Sequence, residues 1–143
     1  MTEEKTSTFE TDKKRFGFLD AVRMNCREIS REVLKTFSVP ELLNILRNVS
    51  RSDYETLNKN VFLTYLEKSK ERSIAEIGKD YSEVMYWLPL SVPEHSGFCG
   101  DNVFLQTLEE RCVDDKEKWK EAFEAFPAPS YLSRQIMRKL HSL

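Results

Sequence analysis

The chain has 143 residues and a mass of 16.8 kDa, the usual size of one globular domain. Its 22 Lys and Arg residues nearly balance 24 Asp and Glu residues, so the net charge is −2 and the pI about 5.8. This balance disfavours a strongly basic nucleic-acid-binding module, and no apolar run approaches the roughly 20 residues that span a bilayer. Few Gly and Pro residues and many Glu, Lys and Arg residues favour helices.

The three cysteines, Cys26, Cys99 and Cys112, are too few and too widely spaced for a disulfide framework. The first residues lack the apolar stretch of a secretory signal peptide. We therefore expect reduced thiols and a cytoplasmic location.

The first helix is predicted to begin at Thr11, after a polar and flexible tail over residues 1–10. Apolar residues recur from there at steps of three and four, namely Leu19, Val22, Cys26, Ile29 and Val33. Such spacing is typical of one face of an amphipathic helix. It predicts a single long helix that ends near Phe37.

A capping signal starts the second helix, because Ser38 can cap it and Glu41 can complete a capping box. A similar signal at Ser52 predicts a short helix through Leu57. Further helical segments are predicted over residues 61–66, with an extension to Ile77, and over residues 80–88. Residues 90–100 are predicted to form a loop, because Pro89 and Pro93 end the preceding helix.

Two more helices are predicted to start at Asp101 and Asp114, and a final basic helix at Ser130. The stiff Pro127–Pro129 break separates that last helix from the rest. The aromatic residues at helical spacing are expected to lie in the core: Trp87, Phe104, Trp119, Phe123 and Phe126. No strand pattern is present, so we predict an all-α domain over residues 11–126 followed by a helical segment over 127–143.

One set of residues could carry chemistry, since His95, Cys99 and Cys112 resemble part of a zinc module. A fourth ligand is missing, and Cys112 falls on the apolar face of its helix. Cys99 and His95 could also form a nucleophilic pair, but no recognisable motif supplies an orienting group or oxyanion donors. We expect no cofactor, no metal and no catalysis, and keep a small zinc module or enzyme as an alternative.

Charge is distributed unevenly along the chain. Arg23, Arg27, Arg31 and Lys35 recur at steps of four and form a basic ridge on the predicted first helix. Residues 50–56, with Asp53 and Glu55, and residues 109–117 carry acidic counterparts. Many such faces are only solvated. The alternative is that patches of opposite sign steer partner docking or self-association.

Several segments together resemble the caspase recruitment domain branch of the death-fold superfamily. They are the apolar Val39–Leu46, the segment Val49–Leu57, the pair Leu88-Pro89, and Gly100–Leu108. The resemblance covers residues 13–126, with two departures: residues 59–79 are longer than the family needs, and residues 90–100 are an insertion.

The resemblance implies a six-helix antiparallel bundle, here with an extra C-terminal helix. It also implies binding to a like domain or a second copy in apoptotic or innate-immune signalling, without catalysis. Carried over by position, Arg23, Arg27 and Arg31 would form one docking face, and Asp53 and Glu55 the other. The alternative is a helical bundle that binds a partner peptide in an apolar groove, which exposure of Met85 or Trp87 would favour.

Overall fold

The structure, a computed structural model, describes residues 2–49, 54–87 and 100–143, and helices make up the regular structure of these residues. Within these ranges there are nine helices and no strand, which confirms the predicted all-α class. In chain order they are α1 (Thr2–Phe16), α2 (Phe18–Met24), α3 (Arg31–Leu34), α4 (Val39–Asn48), α5 (Glu55–Lys68), α6 (Ile74–Val84), α7 (Gly100–Cys112), α8 (Lys116–Ala125) and α9 (Tyr131–Ser142). None of the helices in the described ranges has the length and apolarity needed to cross a bilayer.

The prediction of a single helix from Thr11 to Phe37 is wrong, because that stretch contains two breaks. The first break is at Gly17, whose φ of +95° lies in the left-handed region that favours glycine. The second break is residues 25–30, called here the 25–30 segment. It ends at Ser30, whose hydroxyl accepts a hydrogen bond from the Val33 amide and caps α3.

The start of the first helix also differs from the prediction. Helix α1 begins at Thr2, where the sequence predicts a flexible tail through residue 10. The ring of Phe9 is only 8% exposed, stacks on Phe37 at 5.6 Å and meets Phe18 edge-on at 6.5 Å. Burial of this aromatic residue holds α1 against the following helices.

The predicted capping box at the start of α4 is confirmed. The Ser38 hydroxyl accepts from the Glu41 amide at 3.3 Å, and the Glu41 carboxylate accepts from the Ser38 amide at 2.8 Å. Helix α4 packs against α5 and α6. It contributes four buried residues to the core, namely Leu42, Leu43, Ile45 and Leu46.

Helices α5 and α6 are longer than predicted. Helix α5 continues to Lys68 without a break at Leu57. Helix α6 begins at Ile74 rather than at Asp80, because Ser73 caps it by accepting from the Glu76 amide at 3.1 Å. It ends at Val84, four residues before the predicted end.

Helices α7, α8 and α9 pack against one another, and α8 also packs against α6. Phe104, Trp119 and Phe126 are buried as predicted, and Phe123 is half-buried. The prediction that Trp87 lies in the core is wrong, since it is 44% exposed just beyond the end of α6. Helix α9 adds two fully buried residues, Leu132 and Ile136, to the same hydrophobic core as the preceding helices.

Candidate functional site

The structure distributes the predicted basic ridge over three elements. Arg23 lies on α2, Arg27 in the 25–30 segment and Arg31 at the first position of α3. Of the predicted acidic counterpart, Glu55 is the first residue of α5 and half-buried, whereas Asp53 lies outside the described residues.

Two of these arginines are engaged within the chain. Arg23 donates to the Asp20 carboxylate at 3.0 Å and to the Asn48 carbonyl at 2.9 Å, which satisfies an acceptor in the last turn of α4. Arg31 donates to the Glu67 carboxylate at 2.8 Å. Both guanidinium groups therefore already have partners within the chain.

Arg27 differs from both, because its exposed side chain has no ion pair or hydrogen bond to another described residue. It lines a cleft of about 350 Å³ between the 25–30 segment and the start of α5. The other lining residues are Cys26, Ile29, Tyr54, Thr56, Leu57 and Asn60. Of the three arginines, Arg27 is the one whose guanidinium is open to a partner within the described part of the chain.

The predicted zinc or nucleophile residues are only partly described, since His95 and Cys99 lie outside the described residues. Cys112 is buried at the end of α7, and this burial raises the pKa of its thiol to about 11. A thiol that stays protonated at neutral pH packs as a small hydrophobic side chain and is a poor nucleophile. Among the described residues, no three His, Cys, Asp or Glu side chains are placed to hold a metal ion.

A buried polar cluster, which the sequence did not reveal, joins α5 to α6. The Tyr65 hydroxyl donates to the Asp80 carboxylate at 3.0 Å, and Arg72 forms an ion pair with the same carboxylate. Arg72 also donates to Glu76 at 3.3 Å. Burial, together with the charge of Asp80, raises the pKa of Tyr65 above its ordinary value.

The backbone next to this cluster is tied to α7, since Arg111 donates to the carbonyls of Ser69 and Arg72. The cluster borders a cleft of about 750 Å³ between α4 and α6. Because these donors and acceptors satisfy one another, the cluster fixes the α5–α6 turn. The spacing of Arg72, Glu76 and Asp80 by four residues is the sequence signal that could have indicated it.

A second surface that the sequence did not reveal is a groove of about 510 Å³ between α1, the 25–30 segment and α3. Apolar side chains of Phe9, Ile29, Val33 and Phe37 line it together with three carboxylates, Glu10, Glu28 and Glu32. We call it the acidic groove. Its charged residues come from three separate elements, so no sequence motif predicts the groove.

The chain matches no protein-family model, no curated protein and no solved structure.

Proposed function

We propose that this protein is a non-enzymatic helical module that binds other proteins, with Arg27 at the centre of one contact surface. The observation that carries this proposal is the contrast between Arg27, which is exposed and unpaired among the described residues, and Arg31, which is paired with Glu67. Arginine is enriched at protein interfaces because its planar guanidinium binds carboxylates in a bidentate manner and stacks on aromatic rings.

The resemblance to caspase recruitment domains specifies the kind of partner. We propose a like domain or a second copy that presents an acidic surface, within a cytoplasmic apoptotic or innate-immune assembly. The all-helical class of the described residues supports this at the level of fold class, and the six-helix antiparallel arrangement is part of the proposal. Arg23 and Arg31 would flank the contact, and Asp53 and Glu55 would form the acidic face.

The cleft beside Arg27 suggests the experiment. A photo-crosslinking amino acid replaces Thr56, which is exposed and lines that cleft, and in a matched variant replaces Glu124, which is exposed on α8. We expect crosslinked protein adducts from position 56 in cells and far fewer from position 124. Equal yields from the two positions would overturn the proposed surface.

A second candidate function, binding of a partner peptide to an exposed apolar surface, is favoured by the residues that follow α6. Tyr86 is 78% exposed and Trp87 is 44% exposed, so two adjacent aromatic side chains present apolar surface to solvent. In a Trp119→Phe variant, Trp87 is the remaining tryptophan. A blue shift of its fluorescence when a partner binds would support this second function, whereas an unchanged spectrum in the complex would exclude Trp87 from the contact.

A further inference from the structure

We infer that the acidic groove binds a basic amphipathic segment of a partner protein. This goes beyond the Arg27 surface, since the acidic groove and the Arg27 cleft have only Ile29 in common among their lining residues. It rests on the proposed function in one respect, namely that the chain binds protein.

The inner wall of the acidic groove is apolar and held in place by packing. Phe9, Ile29 and Phe37 are all buried in the hydrophobic core, yet each contributes to the groove surface. Val33 on α3 is half-buried beside them. A groove of about 510 Å³ lies within the usual size range of ligand-binding clefts. Its apolar wall therefore suits apolar side chains projecting from one face of a segment.

The charge around this wall specifies the flanks of the occupant. Glu10, Glu28 and Glu32 come from α1, the 25–30 segment and α3, so carboxylates approach the acidic groove from all three elements. No Lys or Arg is among the described residues that line it. Lysine or arginine side chains are attracted to such a site, whereas anionic lipids and nucleic acids are repelled.

The chain itself does little to neutralise these carboxylates. The side chains of Glu10 and Glu28 form no ion pair with any side chain that the structure describes, and on α1 these side chains begin at residue 8. Glu32 meets Lys35 at 3.5 Å, but both side chains are exposed, and such pairs are weak. Two of the three charges are therefore available to a cationic partner without breaking an existing pair.

One polar residue in the wall of the acidic groove is available to hydrogen-bond an occupant. Asn25 lines the acidic groove and is only 6% exposed. Its Nδ2 donates to the Asp12 carboxylate at 3.1 Å and to the Ala21 carbonyl at 2.8 Å. Its Oδ1 accepts no hydrogen bond from a described residue. This oxygen is not fully buried, so a donor from a peptide backbone or a cationic side chain can reach it when the acidic groove is occupied.

The occupant we assign is a segment of another protein rather than this chain's own basic helix. In α9, Leu132 and Ile136 are fully buried in the hydrophobic core, so its apolar face is already in use. A partner segment with apolar residues on one face and Lys or Arg on either side matches both the wall and the charges of the acidic groove.

The test uses the full chain and a helical peptide of about 18 residues made of Leu and Lys, with Leu on one face. A peptide of the same composition in scrambled order and a Leu/Glu counterpart serve as reference probes. Binding is measured by fluorescence anisotropy in physiological salt, and contacts are mapped by backbone amide chemical shifts. We expect the amphipathic Leu/Lys peptide to bind and to shift the amides around Asn25 and Val33, whereas the two reference peptides bind much more weakly.

Charge reversal provides the decisive comparison. The double variant Glu10→Lys/Glu28→Lys is expected to weaken binding by about tenfold or more, because two attractive contacts become repulsive. The matched variant Glu121→Lys/Glu124→Lys makes the same charge change on exposed positions of α8 and is expected to change affinity by less than about twofold.

The inference would be overturned by no binding of the Leu/Lys peptide, by equal losses in the two double variants, or by amide shifts centred outside the acidic groove. Self-association of the chain through the acidic groove would also overturn it, because the occupant would then be a second copy. The variant Arg27→Glu should bind the peptide normally. A failure of the peptide experiment therefore does not contradict the proposed Arg27 surface, which is tested separately.

Discussion

Arg31 of α3 and Glu67 of α5 form an ion pair, with 2.8 Å between Nη2 and Oε2. The pair joins residues 36 positions apart and neutralises one member of the predicted basic ridge. Because both side chains are nearly half exposed, the pair contributes more to the surface charge pattern than to stability. The ion pair explains why Arg31 is less available to a partner than Arg27, although both belong to the predicted basic ridge.

The strength of this pair can be measured with Arg31→Ala, Glu67→Ala and the double variant. We expect a coupling free energy of about 0.2–1 kcal/mol in urea unfolding, because solvent screens exposed charges. The coupling should decrease as salt is added. A coupling that is larger than about 2 kcal/mol, or insensitive to salt, would show that the pair is buried in solution.

The anchoring role of Phe9 predicts that Phe9→Ala is strongly destabilising. Loss of a buried phenylalanine costs about 3 kcal/mol or more, and α1 loses its stacking contact with Phe37. The midpoint of thermal unfolding and the helical circular-dichroism signal should both decrease. Phe16→Ala is the matched control, since Phe16 is half exposed and its loss should change stability by about 0.5 kcal/mol. Equal effects of the two substitutions would contradict the packing of α1.

The contact between α6 and α8 depends on a residue without a side chain at position 78. A Cβ added to Gly78 would lie 2.7 Å from the carbonyl carbon of Ala125 and even closer to its oxygen, so the two helices would have to separate. We expect Gly78→Ala to lower the free energy of unfolding by about 1–3 kcal/mol or more. An exposed Gly to Ala change within a helix normally stabilises it. A stabilised Gly78→Ala protein would therefore contradict the close approach of α6 to α8.

Burial of the Cys112 thiol predicts a loss of stability in alkaline solution. Its pKa is raised from 9.0 to about 11, so above pH 9 the unfolded chain releases the thiol proton before the folded chain does. The free energy of unfolding therefore falls between pH 9 and pH 11. In Cys112→Ala this part of the slope should disappear, although the variant is less stable overall because of the cavity. Chemical unfolding at a series of pH values makes the comparison, and equal slopes would contradict the burial of the thiol.

The sequence predicted those helix starts that are set by N-cap motifs, because the residues of such a motif are close together in the chain. The capping box of Ser38 and Glu41 is present as predicted, and Ser130 caps α9 together with Ser133. In these motifs the donor and acceptor residues lie within four positions of each other, so a short stretch of sequence is enough to predict them. The prediction near Asp114 was off by one residue, since Asp115 accepts from the amides at the start of α8.

Periodicity identified inward-facing residues better than it identified helix boundaries. Val22 and Ile29 are buried as the stripe predicted, yet the chain between them leaves the helix at Asn25. The apolar stripe starts at Leu19, after Gly17, and continues across the 25–30 segment, so its spacing gave no sign of either break. The glycine at position 17 was the local sequence signal of the first break, because glycine adopts a positive φ more readily than other residues.

The candidate site could be predicted only in part. The step of four residues identified Arg27, but the partners of Arg23 and Arg31 lie 25 and 36 positions away and depend on tertiary packing. The acidic groove combines residues from three elements, and its charges become neighbours only after α1 packs against the 25–30 segment and α3. Neither relationship is encoded in a short motif.

The most direct test of the central claim is quantitative affinity capture of partner proteins with Arg27→Glu and a matched variant, Arg138→Glu. Each variant reverses the charge of an exposed arginine whose side chain is unpaired among the described residues, and Arg138 lies on α9, outside the Arg27 cleft. Both should keep the wild-type circular-dichroism spectrum and a stability within about 0.5 kcal/mol.

A charge reversal at an interface places like charges in contact and costs several kcal/mol. We therefore predict that Arg27→Glu captures about tenfold less of the wild-type partners, or less still, while Arg138→Glu captures them normally. Capture of the same partners at wild-type levels by a folded Arg27→Glu protein would contradict the proposed function.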